Sequence, residues 1–340
     1  MKYFNKIAIA AAILFIALMI IWPLQQSDES MATVGDPLLT LETLGDGSEL
    51  VVPIPQSVEL DADTVALGER LFHDPGLSGN GFSCASCHQL ATGGIDHLPK
   101  SMATGGRFDS MNTPTIFNAA LNPMQTWTGR FTDLETQLDS VINNPKHFAA
   151  NWPDIIAYLQ QNDQYRAAFD HLFNGVINID TITIALTTFE RSLVTPNADF
   201  DRYLRGDEQA LSSEQKQGYR LFIDYGCISC HQGINLGGNL LARFGIYKDG
   251  LSDKDSISEF DYGRYNHTGL ERDKFVFRVP SLRNIAVTAP YFHNGTTATL
   301  SEAIRIMARI QLNVEMPPPD IALIESFLHS LTGEYRGQRL

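Results

Sequence analysis

Two copies of one five-residue motif hold all four cysteines of this 340-residue chain. The copies place cysteine, cysteine and histidine at Cys84, Cys87 and His88 and again at Cys227, Cys230 and His231. Two cysteines at this spacing can each bond one vinyl group of a haem, and the adjacent histidine can then ligate the iron. A zinc site would need four ligands in one place, and no further cysteine exists to complete one. The motifs therefore predict two covalently bound haem c groups.

The charge of the chain limits its partners. The formal net charge is -14, which argues against a nucleic-acid ligand because nucleic-acid binding requires a basic surface. An acidic surface is compatible with docking of a basic electron-carrier protein. Because all the cysteines belong to the two motifs, no disulfide is expected.

The N-terminus resembles a signal-type segment. Lys2 and Lys6 precede an uninterrupted apolar run from Ile7 to Trp22, which is near the lower length limit for a membrane span. The small residues around Ser30 to Ala32 lie far from that run for signal cleavage, so an inner-membrane tether is favoured over a cleaved signal peptide. Both interpretations predict a periplasmic location, where covalent haem attachment also takes place.

Helical periodicity and capping residues predict a mainly α fold, since β-branched alternation is nearly absent. Gly68 to Phe72 before the first motif resembles Gly218 to Phe222 before the second, which indicates two similar haem domains. The predicted organisation is a signal or anchor segment (1–26), a linker (27–56), an N-terminal haem domain (57–198) and a C-terminal haem domain (199–340). Helices are predicted to begin at Asp133, Asn151 and Thr299. Further helices are predicted over Asp61 or Asp63 to Phe72, 164–173, Asp180 to Arg191, Ser212 to Phe222 and 320–331.

From Leu67 to Gly333 the chain resembles the bacterial di-haem cytochrome c peroxidases, a group that also includes the MauG-type enzymes. The stretches that carry the resemblance, besides the two motifs, are 67–72, 74–78, 112–115, 118–120, 127–130, 189–191, 279–284, 291–295 and 307–312. This resemblance implies two cytochrome c-like domains. Hydrogen peroxide would bind at the His88 haem, and electrons would enter at the His231 haem.

The resemblance also implies roles for individual residues. Met307 would be the second axial ligand of the His231 haem, although an isolated methionine is more often a core residue. Trp127 would lie between the haems, where its alternative is an ordinary core aromatic. A calcium ion would be held by three residues with oxygen ligands, which are Asn112, Thr288 and Pro290.

Two positions depart from the family pattern. Thr104 occupies the place of a histidine that ligates the first haem in resting peroxidases, so that iron is expected to be open or covered by His97, Met102 or Met111. His147 occupies the place of the catalytic glutamate. Histidine can serve as an acid–base group near neutral pH, but it could also ligate the iron or simply face solvent.

Three functions remain open from the sequence. The first is a peroxidase that takes electrons from a small cytochrome c or copper protein, with His147 and Trp127 as catalytic residues. The second is MauG-like oxidation of a partner protein, against which Met307 argues because those enzymes use tyrosine at that position. The third is a non-catalytic di-haem carrier or sensor. The family resemblance is also compatible with a homodimer.

Overall fold

The computed structural model describes residues 50–247 and 257–340, so the predicted segment 1–26 and most of the predicted linker lie outside it. Helices dominate the described part, which confirms the mainly α class. The helices are α1 (Ala62–Phe72), α2 (Cys84–Cys87), α3 (Leu134–Ile142), α4 (Trp152–Gln161), α5 (Asp163–Phe173), α6 (Ile179–Ser192), α7 (Asp199–Leu204), α8 (Ser213–Asp224), α9 (Tyr265–Thr268), α10 (Leu300–Gln311) and α11 (Pro318–His329).

Short strands form three antiparallel pairs in this part of the chain. The strands are β1 (Met102–Ala103), β2 (Arg107–Phe108), β3 (Leu241–Arg243), β4 (Val276–Arg278), β5 (Glu334–Tyr335) and β6 (Gln338–Arg339). The pairs are β1–β2, β3–β4 and β5–β6, and the β1–β2 hairpin lies between the first motif and α3.

Side-chain caps mark the starts of several helices. Asp61 accepts a hydrogen bond from the backbone N–H of Thr64 at 2.8 Å, as predicted for α1. Helix α6 begins earlier than predicted, because Asn178 rather than Asp180 accepts the bond from the N–H of Thr181 at 2.9 Å. Helix α11 also begins earlier, at Pro318, where the missing N–H of proline costs no helical hydrogen bond.

The repeated glycines lie at close helix crossings. Helix α1 packs against α6, and α8 packs against α11. A Cβ atom on Gly68 would lie 2.0 Å from the carbonyl oxygen of Ala185, and one on Gly218 would lie 1.9 Å from that of Leu323. The sequence repeat therefore has a structural counterpart, in which each motif follows a helix that crosses its partner at a glycine.

Two hydrophobic clusters correspond to the two motifs. The first contains buried side chains between Leu67 and Leu193, and the second contains Val51 and side chains between Phe200 and Leu331. The C-terminal tail does not stay with the second cluster, because Tyr335 and Leu340 pack against the first.

The last residues of the predicted linker pack onto the C-terminal half. Ile54 is fully buried, and its N–H donates to Oδ1 of Asp201 at 3.1 Å. The carbonyl of Val52 accepts a bond from Arg283 at 3.0 Å, and Arg283 pairs with Asp201 at 2.7 Å in the interior. No periodicity in the sequence predicts these contacts, because they are made by the backbone groups of Ile54 and Val52.

Within the described ranges, no helix is both long enough and apolar enough to cross a bilayer. The apolar run from Ile7 to Trp22 lies outside those ranges.

Candidate functional site

The two motif histidines make the same hydrogen bond. Nδ1 of His88 lies 3.2 Å from the carbonyl oxygen of Gly94, and Nδ1 of His231 lies 3.1 Å from that of Leu236. A carbonyl can only accept, so Nδ1 carries the proton and Nε2 keeps its lone pair. This is the arrangement in which an imidazole ligates a metal through Nε2 while a backbone group fixes the ring.

Both imidazoles are held in the neutral form. Burial lowers the pKa of His231 to about 4. Hydrogen bonds to the carbonyls of Leu236 and Pro280 raise this pKa, but by less than burial lowers it. Burial also lowers the pKa of His88, opposed in part by the carbonyl of Gly94 and, more weakly, by that of Pro114. Metal ligation requires the neutral imidazole, so the environment suits both residues to iron.

A second repeat accompanies these bonds. Asn118 follows Pro114 by four residues and Asn284 follows Pro280 by four, and both asparagines adopt the left-handed conformation with φ of 59° and 61°. Their side-chain amides donate to the same hydroxyl, that of Thr195, at 2.7 Å and 3.0 Å. The two halves therefore meet around Thr195 through equivalent residues.

A cavity of about 500 Å³ lies beside the second motif. Cys227, Cys230 and His231 line it, and Met307 on α10 lines it as well. Its walls are largely apolar side chains, and its size is within the usual range for sites that bury a large organic cofactor. The residues present fit a haem with cysteine attachment, a histidine ligand and a methionine close by.

The same cavity reaches the residues predicted to bind calcium. Asn112, Thr288 and Pro290 all line it, and so does Trp127. The indole N–H of Trp127 donates to the main-chain carbonyl of Asn112 at 2.8 Å. The structure therefore brings these four residues together, and it ties the tryptophan to the segment that follows the first motif.

His147 lies in the turn after α3 and pairs with a carboxylate. Its Nε2 is 2.7 Å from Oδ2 of Asp109, which follows strand β2. The side-chain amide of Asn80, four residues before Cys84, donates to the main-chain carbonyl of His147 at 2.6 Å. His147 is thus near the first motif and has a defined hydrogen-bond partner.

Thr104 is directed at the His147 turn. Its N–H donates to the carbonyl of Lys146 at 2.8 Å, and its hydroxyl donates to the carbonyl of Pro145 at 2.9 Å. The side-chain amide of Asn80 donates both to the Thr104 hydroxyl at 2.8 Å and to the carbonyl of His147 at 2.6 Å. The β1–β2 hairpin is therefore fastened to the turn that carries His147.

His97 is engaged elsewhere. Its two ring nitrogens lie 2.8 Å from the carbonyl of Thr92 and 3.2 Å from that of Ala289. Both ring nitrogens are therefore directed at main-chain carbonyls in this arrangement. Over residues 50–247 and 257–340, no cluster of three or more His, Cys, Asp or Glu side chains is arranged to hold a metal ion.

Comparison with known proteins gives a consistent result. The family model of di-haem cytochrome c peroxidases matches residues 62–209. The chain is 40% identical over 289 residues to cytochrome c551 peroxidase of Nitrosomonas europaea, covering 84% of this chain and 85% of that protein. The chain belongs to the di-haem cytochrome c peroxidase family. It is also 44% identical over 290 residues to cytochrome c peroxidase Ccp of Escherichia coli K12, covering 85% of this chain and 62% of that protein's length.

Among solved structures, a MauG-like protein associated with microbial copper homeostasis has a TM-score of 0.74 to this chain. The two are 27% identical, and the likeness covers 83% of this chain and 93% of that one. Membership of the di-haem peroxidase family implies two haem c groups, as the motifs predicted, and oxidoreductase chemistry.

Sequence reasoning missed several residues of this peroxidase-family site. No sequence pattern pointed to Asp109, because its partner His147 is 38 positions away and contacts between loops produce no hydrophobic periodicity. The buried His293–Asp261 pair, at 2.8 Å, was missed for the same reason. The repeat of Pro114 to Asn118 in Pro280 to Asn284 was visible in the sequence and could have been found by aligning the two halves.

Proposed function

We propose that this protein reduces hydrogen peroxide to water with electrons from a small redox protein. The observation that carries the proposal is the difference between the two motif histidines. Met307 shares a cavity with His231, whereas His147 with its carboxylate partner is bonded to Asn80, which lies just before the first motif. One half therefore suits electron transfer and the other suits proton transfer.

The chain would hold each haem through three residues of a motif. Cys84 and Cys87 would attach the first haem and His88 would ligate it, and Cys227, Cys230 and His231 would do the same for the second. The haems supply the binding of peroxide and the storage of electrons. Met307 as the far ligand of the second haem would give it a high reduction potential and close it to peroxide.

His147 would serve as the acid–base group. Cleavage of peroxide requires a group that takes a proton from one oxygen of the peroxide and returns it to the oxygen that leaves. Its partner Asp109 leaves one ring nitrogen, Nδ1, for that task. The reaction consumes two electrons and two protons for each peroxide and yields two water molecules.

The electrons would enter at the second haem and pass by Trp127 to the first. Trp127 suits this route because it lines the cavity of the second haem and is bonded to Asn112, which follows the first motif. The acidic chain favours a donor with a basic face, such as a small cytochrome c or copper protein.

We also propose that the first iron has an open face in the oxidised protein. Thr104 supplies no haem ligand, and its hydroxyl is engaged by the His147 turn. His97 is engaged by two carbonyls. Met102 and Met111 are then the remaining loop residues that could cover the iron, and the resting spectrum distinguishes these cases.

A calcium ion between the domains belongs to the same proposal. Asn112, Thr288 and Pro290 would bind it through oxygen atoms, which suit a hard cation. Removal of calcium with a chelator should slow electron transfer between the haems, because Asn112 also holds Trp127. Transfer at an unchanged rate in the calcium-free protein would contradict this assignment.

The domain organisation and the cellular location of the protein belong to the same proposal. Residues 57–198 and 199–340 would be the two haem domains, and the protein would work in the periplasm, where haem is attached to such motifs. Residues 7–22 would tether it to the inner membrane or direct its export before cleavage. A homodimer remains compatible with this arrangement.

Peroxide-dependent oxidation of a reduced cytochrome c or copper protein tests the function. The expected stoichiometry is two donor molecules for each peroxide, with a loss of about 100-fold or more in His147→Ala, because a general acid–base group contributes about that much. Donor oxidation that ignores peroxide would overturn the proposal. Transfer of oxidising equivalents to a protein side chain instead would favour MauG-like chemistry.

A further inference from the structure

His147 and Asp109 form a fixed pair rather than a chance surface contact. Nε2 of His147 lies 2.7 Å from Oδ2 of Asp109, and the two side chains are only 33% and 16% exposed. The other oxygen of Asp109 accepts a bond from the hydroxyl of Ser110 at 2.9 Å. The backbone N–H of Asp109 donates to the carbonyl of Ser101 at 2.7 Å, so the carboxylate is held from both sides.

Three separate segments hold this pair in place. Asp109 follows the β1–β2 hairpin, and His147 lies in the turn after α3. Thr104 of the hairpin bonds the carbonyls of Pro145 and Lys146, and Asn80 bonds both Thr104 and His147. Asn80 lies four residues before Cys84, so the same bonds fasten the pair to the first haem motif.

The carboxylate of Asp109 determines which ring nitrogen of His147 can accept a proton. Burial by itself would raise the pKa of Asp109, but hydrogen bonds from His147 and Ser110 outweigh it and lower the pKa to about 2. The carboxylate is therefore ionised at neutral pH and can only accept, so Nε2 of His147 carries the proton in this bond. The lone pair of the neutral ring is then on Nδ1.

We propose that Asp109 is the positioning residue of His147 in peroxide cleavage. It holds the tautomer whose Nδ1 is ready to accept a proton, and its negative charge stabilises the imidazolium that forms. His147 relays one proton of the peroxide from the inner to the outer oxygen, while the two electrons come from the donor. This inference rests on the proposed function of His147, and the roles can be tested separately.

The chain contains a matched control for this pair. His171 and Asp63 also form a histidine–aspartate contact, at 3.4 Å, but their side chains are 71% and 70% exposed. Within residues 50–247 and 257–340, Asp63 makes no other side-chain hydrogen bond, and the pair joins α5 to α1. Asp63→Asn therefore makes the same chemical change as Asp109→Asn at a surface position.

The first experiment compares the haem-loaded variants Asp109→Asn, Asp63→Asn and His147→Ala with the parent protein. The pH profile of kcat/KM for peroxide is measured together with the cyanide dissociation constant from haem absorbance, because binding of HCN also releases a proton to a nearby base. We expect Asp109→Asn to lose about tenfold or more in both. Its acid limb should shift to lower pH, because the neutral amide no longer favours the imidazolium.

The control Asp63→Asn should match the parent protein in both measurements. Parent-like rates, cyanide affinity and pH profile in Asp109→Asn, beside an inactive His147→Ala, would overturn the positioning role and leave the peroxidase function intact. If the parent protein does not consume peroxide, the proposed function fails, while cyanide affinity still reports on the pair.

A double variant guards against simple loss of folding. His147→Glu introduces the family's carboxylate but sets it against the charge of Asp109, and two adjacent carboxylates cannot easily both ionise. The double variant His147→Glu/Asp109→Asn should therefore be at least about fivefold more active than His147→Glu alone. Activity equal to or below that of His147→Glu would contradict a functional coupling of the two residues.

Discussion

The indole N–H of Trp127 donates to the main-chain carbonyl of Asn112 at 2.8 Å. The N–H of Asn112 in turn donates to the carbonyl of His293 at 2.8 Å, and the His293 ring lies edge-on to Trp127 with centroids 6.4 Å apart. These contacts fix the tryptophan at the wall of the second cavity and connect it to the chain that follows the first motif. The relationship explains why this aromatic residue can serve as more than core packing.

Replacement of Trp127 should slow electron transfer between the haems. Trp127→Phe removes the N–H that fixes the ring, and we expect donor oxidation to fall about tenfold or more. Stopped-flow absorbance should show an unchanged first reaction with peroxide. Trp152→Phe is the matched control, because Trp152 is buried and donates its own N–H to Asp139 at 2.7 Å, outside the second cavity. Equal rates in both variants would contradict the assigned route.

Replacement of Met307 tests its role at the second haem. Met307→Leu keeps an apolar side chain but removes the thioether, so the reduction potential of this haem should fall and the donor should no longer reduce it. The control is Met316→Leu, because Met316 lines the same cavity and is 7% exposed. A redox titration should show a lowered potential in the first variant alone. If both variants keep the parent potential, another residue ligates that iron.

The buried Arg283–Asp201 pair should be important for stability. Both side chains are almost completely buried at 2.7 Å, and Arg283 also bonds the carbonyls of Val52 and Ile234. Arg283→Met leaves a buried carboxylate unpaired, so the free energy of unfolding should fall by about 3–5 kcal/mol.

The exposed pair of Arg202 and Asp207, also at 2.7 Å, provides the control for Arg283. Arg202→Ala should lower the free energy of unfolding far less than Arg283→Met, because solvent screens such a pair. Denaturant titration of the oxidised protein compares the two variants. Similar losses in both would show that burial does not determine the importance of the Arg283 pair.

The pKa of Asp109 predicts how stability changes with pH. Its folded pKa of about 2 is lower than the unfolded value of about 3.9, so the pair stabilises the fold above pH 4 and this contribution is lost as pH falls toward 2. Asp109→Asn should therefore be less stable than the parent at pH 5, and the difference should shrink by pH 2.5. Denaturant titrations at both pH values measure this, and a difference that does not depend on pH would argue against the lowered pKa.

The sequence was most informative where the signal is local. The two haem motifs, the cap at Asp61 and the capping box at Ser212 depend on neighbours within a few residues, and the structure has α1 and α8 where they were predicted. The buried anchoring of Ile54 by Asp201 joins residues 147 positions apart, and no local pattern predicts it. The His147–Asp109 pair is of the same kind, because two irregular loops meet only in the folded chain.

The resemblance to a family supplied what local patterns could not. It directed attention to Met307, Trp127 and His147, and the structure places Met307 and Trp127 at one cavity. It gave no information on Asp109, since the family pattern has a glutamate at the position of His147. The partner of His147 is therefore visible only in the structure of this chain.

The proposed function requires two unequal haems, with one iron open to peroxide and the other closed to it. Electron paramagnetic resonance of the fully oxidised, haem-loaded protein tests it most directly. We expect one high-spin ferric signal, which belongs to the His88 haem and disappears on addition of cyanide, beside one low-spin signal from the haem of His231 and Met307. Two low-spin signals that are unchanged by cyanide or peroxide would contradict it and would indicate an electron carrier.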